Sequence, residues 1–253
     1  MYIDKKMIYI VMAVLLVLGL RSYLTDIDKL IDLLLSVPGI LIAITFHEFA
    51  HAYTADKLGD DTPRNQGRLT LNPLGHLDPI GTVMLLFAKV GWGKPVEVNP
   101  RNYDRRFSMD KADAIVSIAG PTMNFFLALV FTTILCVIMK VANIKMFFSN
   151  GLLLSENMST ILYIITNMVF NTIIINIGLG IFNLIPLPPL DGSKVIKPFL
   201  PMNARGWFEN NERVFEIIFV VLWIMGVLGD IISPIISASL QGILKLGFWV
   251  FGI

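Results

Sequence analysis

Long apolar runs dominate this chain and are separated by short polar segments. A stretch of roughly 20 mostly apolar residues can cross about 30 Å of hydrocarbon as a helix. Six stretches predict transmembrane helices, at about 7–24, 33–58, 112–140, 159–183, 212–229 and 231–253. The last two are the least regular, because Gly229, Asp230 and Pro234 predict a tight helical hairpin or a broken helix.

The polar segment between the second and third stretches has a different pattern. Residues 67–72 and 94–99 alternate apolar and polar positions between Gly and Pro, which predicts two short strands. The apolar piece 80–90 is too short to span, so we expect it to re-enter the membrane or lie in its interface. The prediction is a single-domain, all-α polytopic membrane protein over residues 1–253, with a small β and re-entrant element between helices two and three.

Composition supports a membrane protein and excludes several function classes. The chain is 55% hydrophobic and 15% charged, against about 25% charged residues in soluble domains. A net charge of +1 provides no basic field for nucleic acid. The single cysteine, Cys136, excludes an internal disulfide and a cysteine-rich metal site. No small-residue cleavage pattern follows the first apolar run, which therefore predicts a retained helix rather than a signal peptide.

The distribution of lysine and arginine predicts the orientation in the membrane. With the N-terminus inside, most of the twenty basic residues fall in cytoplasmic segments, above all between Lys57 and Lys111. Both termini of this cell-membrane protein are therefore predicted to be cytoplasmic.

Candidate chemistry lies in the second apolar run, as His47-Glu48-Phe49-Ala50-His51. Residues four apart share a helix face, so both imidazoles can bind one Zn²⁺ while Glu48 acts as a proton acceptor. At about 1.5 Å per residue, His51 lies about 10 Å from the cytoplasmic end of this helix. The metal is therefore predicted in the cytoplasmic half of the bilayer.

Catalytic zinc takes three protein ligands, so a third ligand is required. The clearest candidate is Asp191, in a proline-rich segment that ends the fourth helix. Ionisable residues at membrane depth are costly and therefore often functional. His76, in the segment after helix two, is the alternative ligand.

These motifs together resemble the site-2 protease family of intramembrane zinc metalloproteases (peptidase M50). The matching elements are HExxH, Gly120-Pro121-Thr122-Met123-Asn124, the segment 91–100, and Asn183 to Gly192 with its Leu-Asp-Gly end. They define a catalytic core at about 33–192. The chain has no room for the PDZ or CBS domain of larger members, so it is similar to compact ones.

The resemblance implies a role for each site residue and a class of substrate. One Zn²⁺ per chain would be held by His47, His51 and Asp191, with Glu48 as the general base. Asn124 and Asn183 would hold the substrate carbonyl or stabilise the oxyanion; the alternative is an interhelical hydrogen bond. The partners implied are a transmembrane protein substrate and the lipid bilayer. The segment 92–99 could pair with an extended substrate or form a plain hairpin cap.

Two other functions stay open on the sequence alone. A CAAX-type or HtpX-like membrane metalloprotease would take its third ligand from Glu209, Glu212 or Glu216, which would leave the Leu-Asp-Gly element without a role. A non-proteolytic zinc protein, such as a transporter, would be expected to show repeats or charges in several helices.

Overall fold

The computed structural model describes residues 25–88, 93–144, 147–149, 152–154 and 158–253, with scattered positions between 14 and 23. The helices in chain order are α1 (Ile27–Lys57), α2 (Thr62–Asn65), α3 (Pro79–Ala88), α4 (Met109–Ala142), α5 (Thr160–Asn183), α6 (Asp191–Ile196), α7 (Met202–Asn210), α8 (Glu212–Ile224) and α9 (Val227–Phe251). Short 3₁₀ turns lie at Pro73–Gly75, Pro100–Asn102 and Lys197–Phe199. Two strands, β1 (Phe147–Ser149) and β2 (Leu152–Leu154), pair antiparallel between α4 and α5.

Local signals explain where the long helices begin and end. Asp26 caps α1 by accepting from the Lys29 amide, and Ser159 caps α5 by accepting from the Leu162 amide. Asn143 ends α4 in the left-handed conformation, with φ 49°. Among the described residues, four helices, α1, α4, α5 and α9, are long and apolar enough to cross a membrane.

The core of the molecule is a three-helix group formed by α1, α4 and α5, which all contact one another. Helix α9 packs against α4 and α5, where Leu244 joins a buried cluster with Leu135, Phe170 and Ile173. A second cluster contains Leu190 in the loop before α6, Phe219 of α8 and Leu228 of α9. This second cluster fixes the residue that directly precedes Asp191.

The prediction of six spans is not confirmed. The first predicted span, 7–24, falls largely outside the described residues. The fifth, 212–229, corresponds to α8, whose 13 residues reach only about 20 Å at 1.5 Å per residue, less than the hydrocarbon thickness. The predicted break at Gly229, Asp230 and Pro234 is also misplaced, because all three lie inside α9. The helices separate at Gly226, whose φ of 78° favours glycine.

The β element predicted between helices two and three is not confirmed either. Residues 67–72 and 94–99 form no strand; the described residues there contain one isolated bridge, between Leu77 and Gly93. The physical reason is that the Lys94 and Pro95 carbonyls accept hydrogen bonds from the Arg68 side chain instead of a neighbouring strand. The short apolar piece at 80–90 begins as helix α3.

Candidate metal centre

Helix α1 brings the two histidines together. His47 and His51 are four residues apart and are both buried, and their Nε2 atoms lie 3.0 Å from each other. Glu48 is partly buried on the same helix. The two histidines therefore lie on one face of α1, as the sequence predicts, and their Nε2 atoms point towards the same place.

Asp191 reaches the same point from a different part of the chain. It is the first residue of α6, and its Oδ2 lies 3.2 Å from His47 Nε2 and 3.2 Å from His51 Nε2. One ligand atom from each residue falls within 4.8 Å of the others. Three prolines, Pro186, Pro188 and Pro189, keep the preceding loop from continuing α5 as a helix.

The outer nitrogen of each imidazole has a partner that fixes its protonation. His51 Nδ1 lies 2.7 Å from the Val116 carbonyl, which can only accept, so Nδ1 donates. The Asn124 amide nitrogen donates to the Ala43 carbonyl (3.1 Å) and to Asn176 Oδ1 (2.9 Å). Its oxygen therefore faces His47, whose Nδ1 donates to it at 2.7 Å. With Nδ1 protonated, Nε2 of each neutral ring presents a lone pair.

The donor set fits a zinc ion. Two imidazole nitrogens and a carboxylate oxygen converge, and apart from these imidazoles no hydrogen-bond donor within the described residues reaches Asp191 Oδ2. With neutral imidazoles the three atoms repel one another unless a positive charge, such as a metal ion, lies between them. Zinc prefers nitrogen and carboxylate ligands at about 2.0–2.2 Å in tetrahedral geometry, which places ligand atoms about 3.3–3.6 Å apart. The observed separations of 3.0 and 3.2 Å lie just below this range.

Gly120 allows α4 to approach the two imidazoles. A Cβ at this position would lie 2.7 Å from His47 Nε2 and still closer to His51 Nε2. Only glycine fits at this position, because a methyl group would occupy the volume beside the imidazole nitrogens.

Glu48 is held by the extended segment that follows α3. Its Oε2 accepts a hydrogen bond from the Val96 amide at 2.8 Å. The carboxylate is thereby fixed next to the histidines with its second oxygen, Oε1, free of this bond. A fixed carboxylate beside a zinc-type ligand set is suited to accept a proton from a water molecule.

The other residues considered from sequence have surroundings of their own. The Asn183 amide donates to the Leu179 carbonyl at 3.0 Å, within α5. His76 is fully buried with its Nε2 2.8 Å from the Thr70 carbonyl, and it is not part of the ligand group. Glu209 lies 3.6 Å from Lys197. Glu212 and Glu216 are exposed on α8.

Several contributors to the site were not identified from the sequence. The Val116 carbonyl and the Val96 amide are backbone groups, which leave no signature in residue type. Asn176 extends the polar chain from Asn124 to the Thr172 carbonyl, to which it donates at 2.8 Å. Gly120 carried a signal, because it belongs to the Gly-Pro-x-x-Asn element, although its steric role depends on the fold.

Comparison with known proteins places the chain in a family. It is 38% identical over 215 residues to a Bacillus subtilis protein named "putative zinc metalloprotease YwhC", a match covering 84% of this chain and 90% of that protein. It is 29% identical over 193 residues to "putative zinc metalloprotease Rip2" of Mycolicibacterium smegmatis, covering 75% of this chain and 66% of that protein. No solved structure matches. The model of peptidase family M50 matches residues 36–226, and the chain belongs to this family.

Proposed function

We propose that this chain is an intramembrane zinc endopeptidase that hydrolyses a peptide bond within or near a transmembrane segment of another protein. The observation that supports it most is the convergence of His47, His51 and Asp191. The two histidines and Glu48 lie on α1, a helix apolar enough to cross a membrane. The names of the relatives, which describe zinc metalloproteases, agree with this chemistry.

The site residues would divide the reaction between binding and proton transfer. His47, His51 and Asp191 would hold one Zn²⁺. When bound, this ion would polarise the scissile carbonyl and lower the pKa of the attacking water towards about 7. Glu48 would accept the proton of that water at Oε1 and later deliver it to the leaving amine.

The two asparagines named from sequence take different proposed roles. Both amide hydrogens of Asn124 are donated to Ala43 and Asn176, and its oxygen faces His47. We therefore assign Asn124 to the orientation of His47 rather than to contact with the substrate. Asn183 remains the candidate to donate to the substrate carbonyl, because its side chain is only partly buried at the end of α5.

The proposed orientation follows from the basic residues between α1 and α4. Cytoplasmic lysines and arginines in this segment would place the water-accessible side of the metal centre in the cytoplasm. The cytoplasmic C-terminus predicted from sequence would require α8 to cross as well as α9, and the 13 residues of α8 are too few for that. A Cys136→Ser background with Arg101→Cys or Lys140→Cys tests the proposed orientation, since both positions are exposed. An impermeant maleimide added to intact cells should label Lys140→Cys and leave Arg101→Cys unlabelled.

Glu48→Gln tests the proposed activity, because it removes the proton acceptor while keeping the size of the side chain. Membrane-protein fragments are compared between cells carrying wild type and the variant, and an uncut precursor should accumulate in the variant. The purified proteins are then given a fluorescent peptide of about 20 apolar residues with an Asn-Gly pair at its centre. Wild type should cleave it and Glu48→Gln should not, at equal zinc content. Equal cleavage by both would reject the proposal.

A further inference from the structure

Arg68 is a buried cation outside the metal centre. Its side chain is only 5% exposed, and its Nη2 donates to two successive backbone carbonyls, Lys94 O at 3.1 Å and Pro95 O at 2.9 Å. Within the described residues, its buried Nη1 has no hydrogen-bond partner. Burying an incompletely paired guanidinium costs free energy, so stability alone does not favour this arrangement.

The carbonyls that Arg68 binds belong to the segment that contacts Glu48. The Val96 amide, which follows Pro95 directly, donates to Glu48 Oε2 at 2.8 Å. The Lys94 amide donates to the His76 carbonyl at 2.8 Å, which fixes the start of the segment. An unbroken series of contacts therefore runs from the guanidinium through two peptide groups to the carboxylate of the general base.

Residues 94–99 form neither helix nor strand, and within the described part of the chain no strand pairs with them. Arg68 supplies the hydrogen bonds that a partner strand would otherwise give to their carbonyls. If these bonds are lost, the Val96 amide can move away from Glu48, and the carboxylate can rotate about its side-chain torsions. A displacement of about 1 Å in a catalytic group can lower a rate by about 100-fold.

We propose that Arg68 is a positioning residue for the general base: it fixes the 94–96 backbone so that the Val96 amide holds one oxygen of Glu48 and leaves the other for water. This inference rests on the proposed function, since it assigns a task only if Glu48 is the base. It concerns orientation of Glu48 and not binding of the metal.

The test compares Arg68→Gln, Val96→Pro and the double variant in cleavage of the same fluorescent peptide. Arg68→Gln removes the guanidinium, whereas Val96→Pro keeps Arg68 and removes the amide hydrogen itself. Each single variant should lower kcat by about 10–100-fold, with KM within about twofold and zinc content unchanged. The double variant should be no slower than the slower single variant, because both act through one contact. Arg68→Lys should restore part of kcat.

A matched control separates positioning from general loss of structure. Arg64→Gln makes the same change at an exposed arginine that pairs with Asp56, and it should retain wild-type kcat. Wild-type kcat in Arg68→Gln, loss of its zinc, or multiplicative effects in the double variant would overturn the inference. If wild type cleaves the peptide and Glu48→Gln does not, the proposed function stands whatever Arg68→Gln does.

Discussion

Two carboxylates in this molecule, Asp60 and the partly buried Asp191, have opposite surroundings. Asp60 is fully buried in the loop after α1, and donors surround it: the Thr62 amide and hydroxyl, the Asn99 amide and the Asn102 side chain. Asp191 faces two imidazole nitrogens that carry lone pairs. A carboxylate surrounded by hydrogen-bond donors is satisfied by the protein alone. A carboxylate that faces hydrogen-bond acceptors needs a positive charge between them. We therefore interpret the first as a structural residue and propose the second as a metal ligand.

The strongest test of this difference is Asp191→Asn. The change replaces a charged ligand by a neutral one, so the affinity for zinc should fall by about 100-fold or more, as expected when one member of a buried charged set is removed. Competition with a chromophoric chelator measures it. Asp60→Asn is the matched control and should bind zinc as wild type does. Full zinc affinity in Asp191→Asn would remove the distinction between the two sites.

Gly120→Ala tests the steric space around the proposed metal centre, whereas Asp191→Asn tests its charge. The added methyl group would contact both imidazoles, so zinc affinity should fall by about 10–100-fold, the cost of 1–3 kcal/mol typical of overpacking. Gly178→Ala on α5 is the control, because its nearest neighbour, Ile236 Cδ1, would lie at an ordinary 3.6 Å. Unchanged zinc binding in Gly120→Ala would mean that α4 can shift away from the site.

Asn124→Leu removes the partner that holds the His47 ring. Loss of such a group typically costs about 10–100-fold in metal affinity, and we expect about 10-fold because the Asp191 and His51 ligands remain. Asn167→Leu is the control, since the Asn167 amide donates to the Tyr163 carbonyl within its own helix. Equal zinc affinities in the two variants would show that the hydrogen bond to His47 is dispensable.

The smallest effect on zinc is expected for Asp60→Asn, which should act on stability instead. Burial raises the pKa of Asp60, but the surrounding donors outweigh it and hold this pKa below the ordinary 3.8. The ionised form therefore stabilises the fold at neutral pH. This contribution is present above about pH 4 and is lost as the pH falls through the folded-state pKa.

Unfolding of wild type and Asp60→Asn in detergent micelles measures this contribution. Wild type should be more stable at pH 7, and the difference between the two proteins should shrink below about pH 4. A difference that stays constant across this range would contradict an ionised, donor-paired Asp60.

The sequence predicted the parts of the site that depend on residue type and helical spacing. His47 and His51 share a face because they are four residues apart, and the proline-rich loop before Asp191 predicted an end to the preceding helix. The structure brings these three side chains together. The substrate roles predicted for Asn124 and Asn183 stay predictions, and the hydrogen bonds of Asn124 favour orientation of His47 instead.

Other features could not be predicted, for physical reasons that differ from place to place. The extended segment at 94–99 has the alternation of a strand, but a side chain, Arg68, satisfies its carbonyls, and no local pattern reports that. Gly229 and Pro234 are ordinary signals for a helix break, yet α9 includes both because the turn is made at Gly226. The metal-site contacts of Val116 and Val96 come from backbone atoms, to which every residue type contributes equally.

The Val116 carbonyl has a consequence for natural variation. Every amino acid supplies this oxygen, so only the packing of the side chain limits which residues can occupy position 116. A comparison of residue types among relatives would therefore overlook this position. A change in length would remove the contact: one residue inserted in α4 between Val116 and Gly120 would turn the preceding part of the helix by about 100°. The orientation of His51 thus depends on the register of α4 rather than on the identity of the side chain at 116.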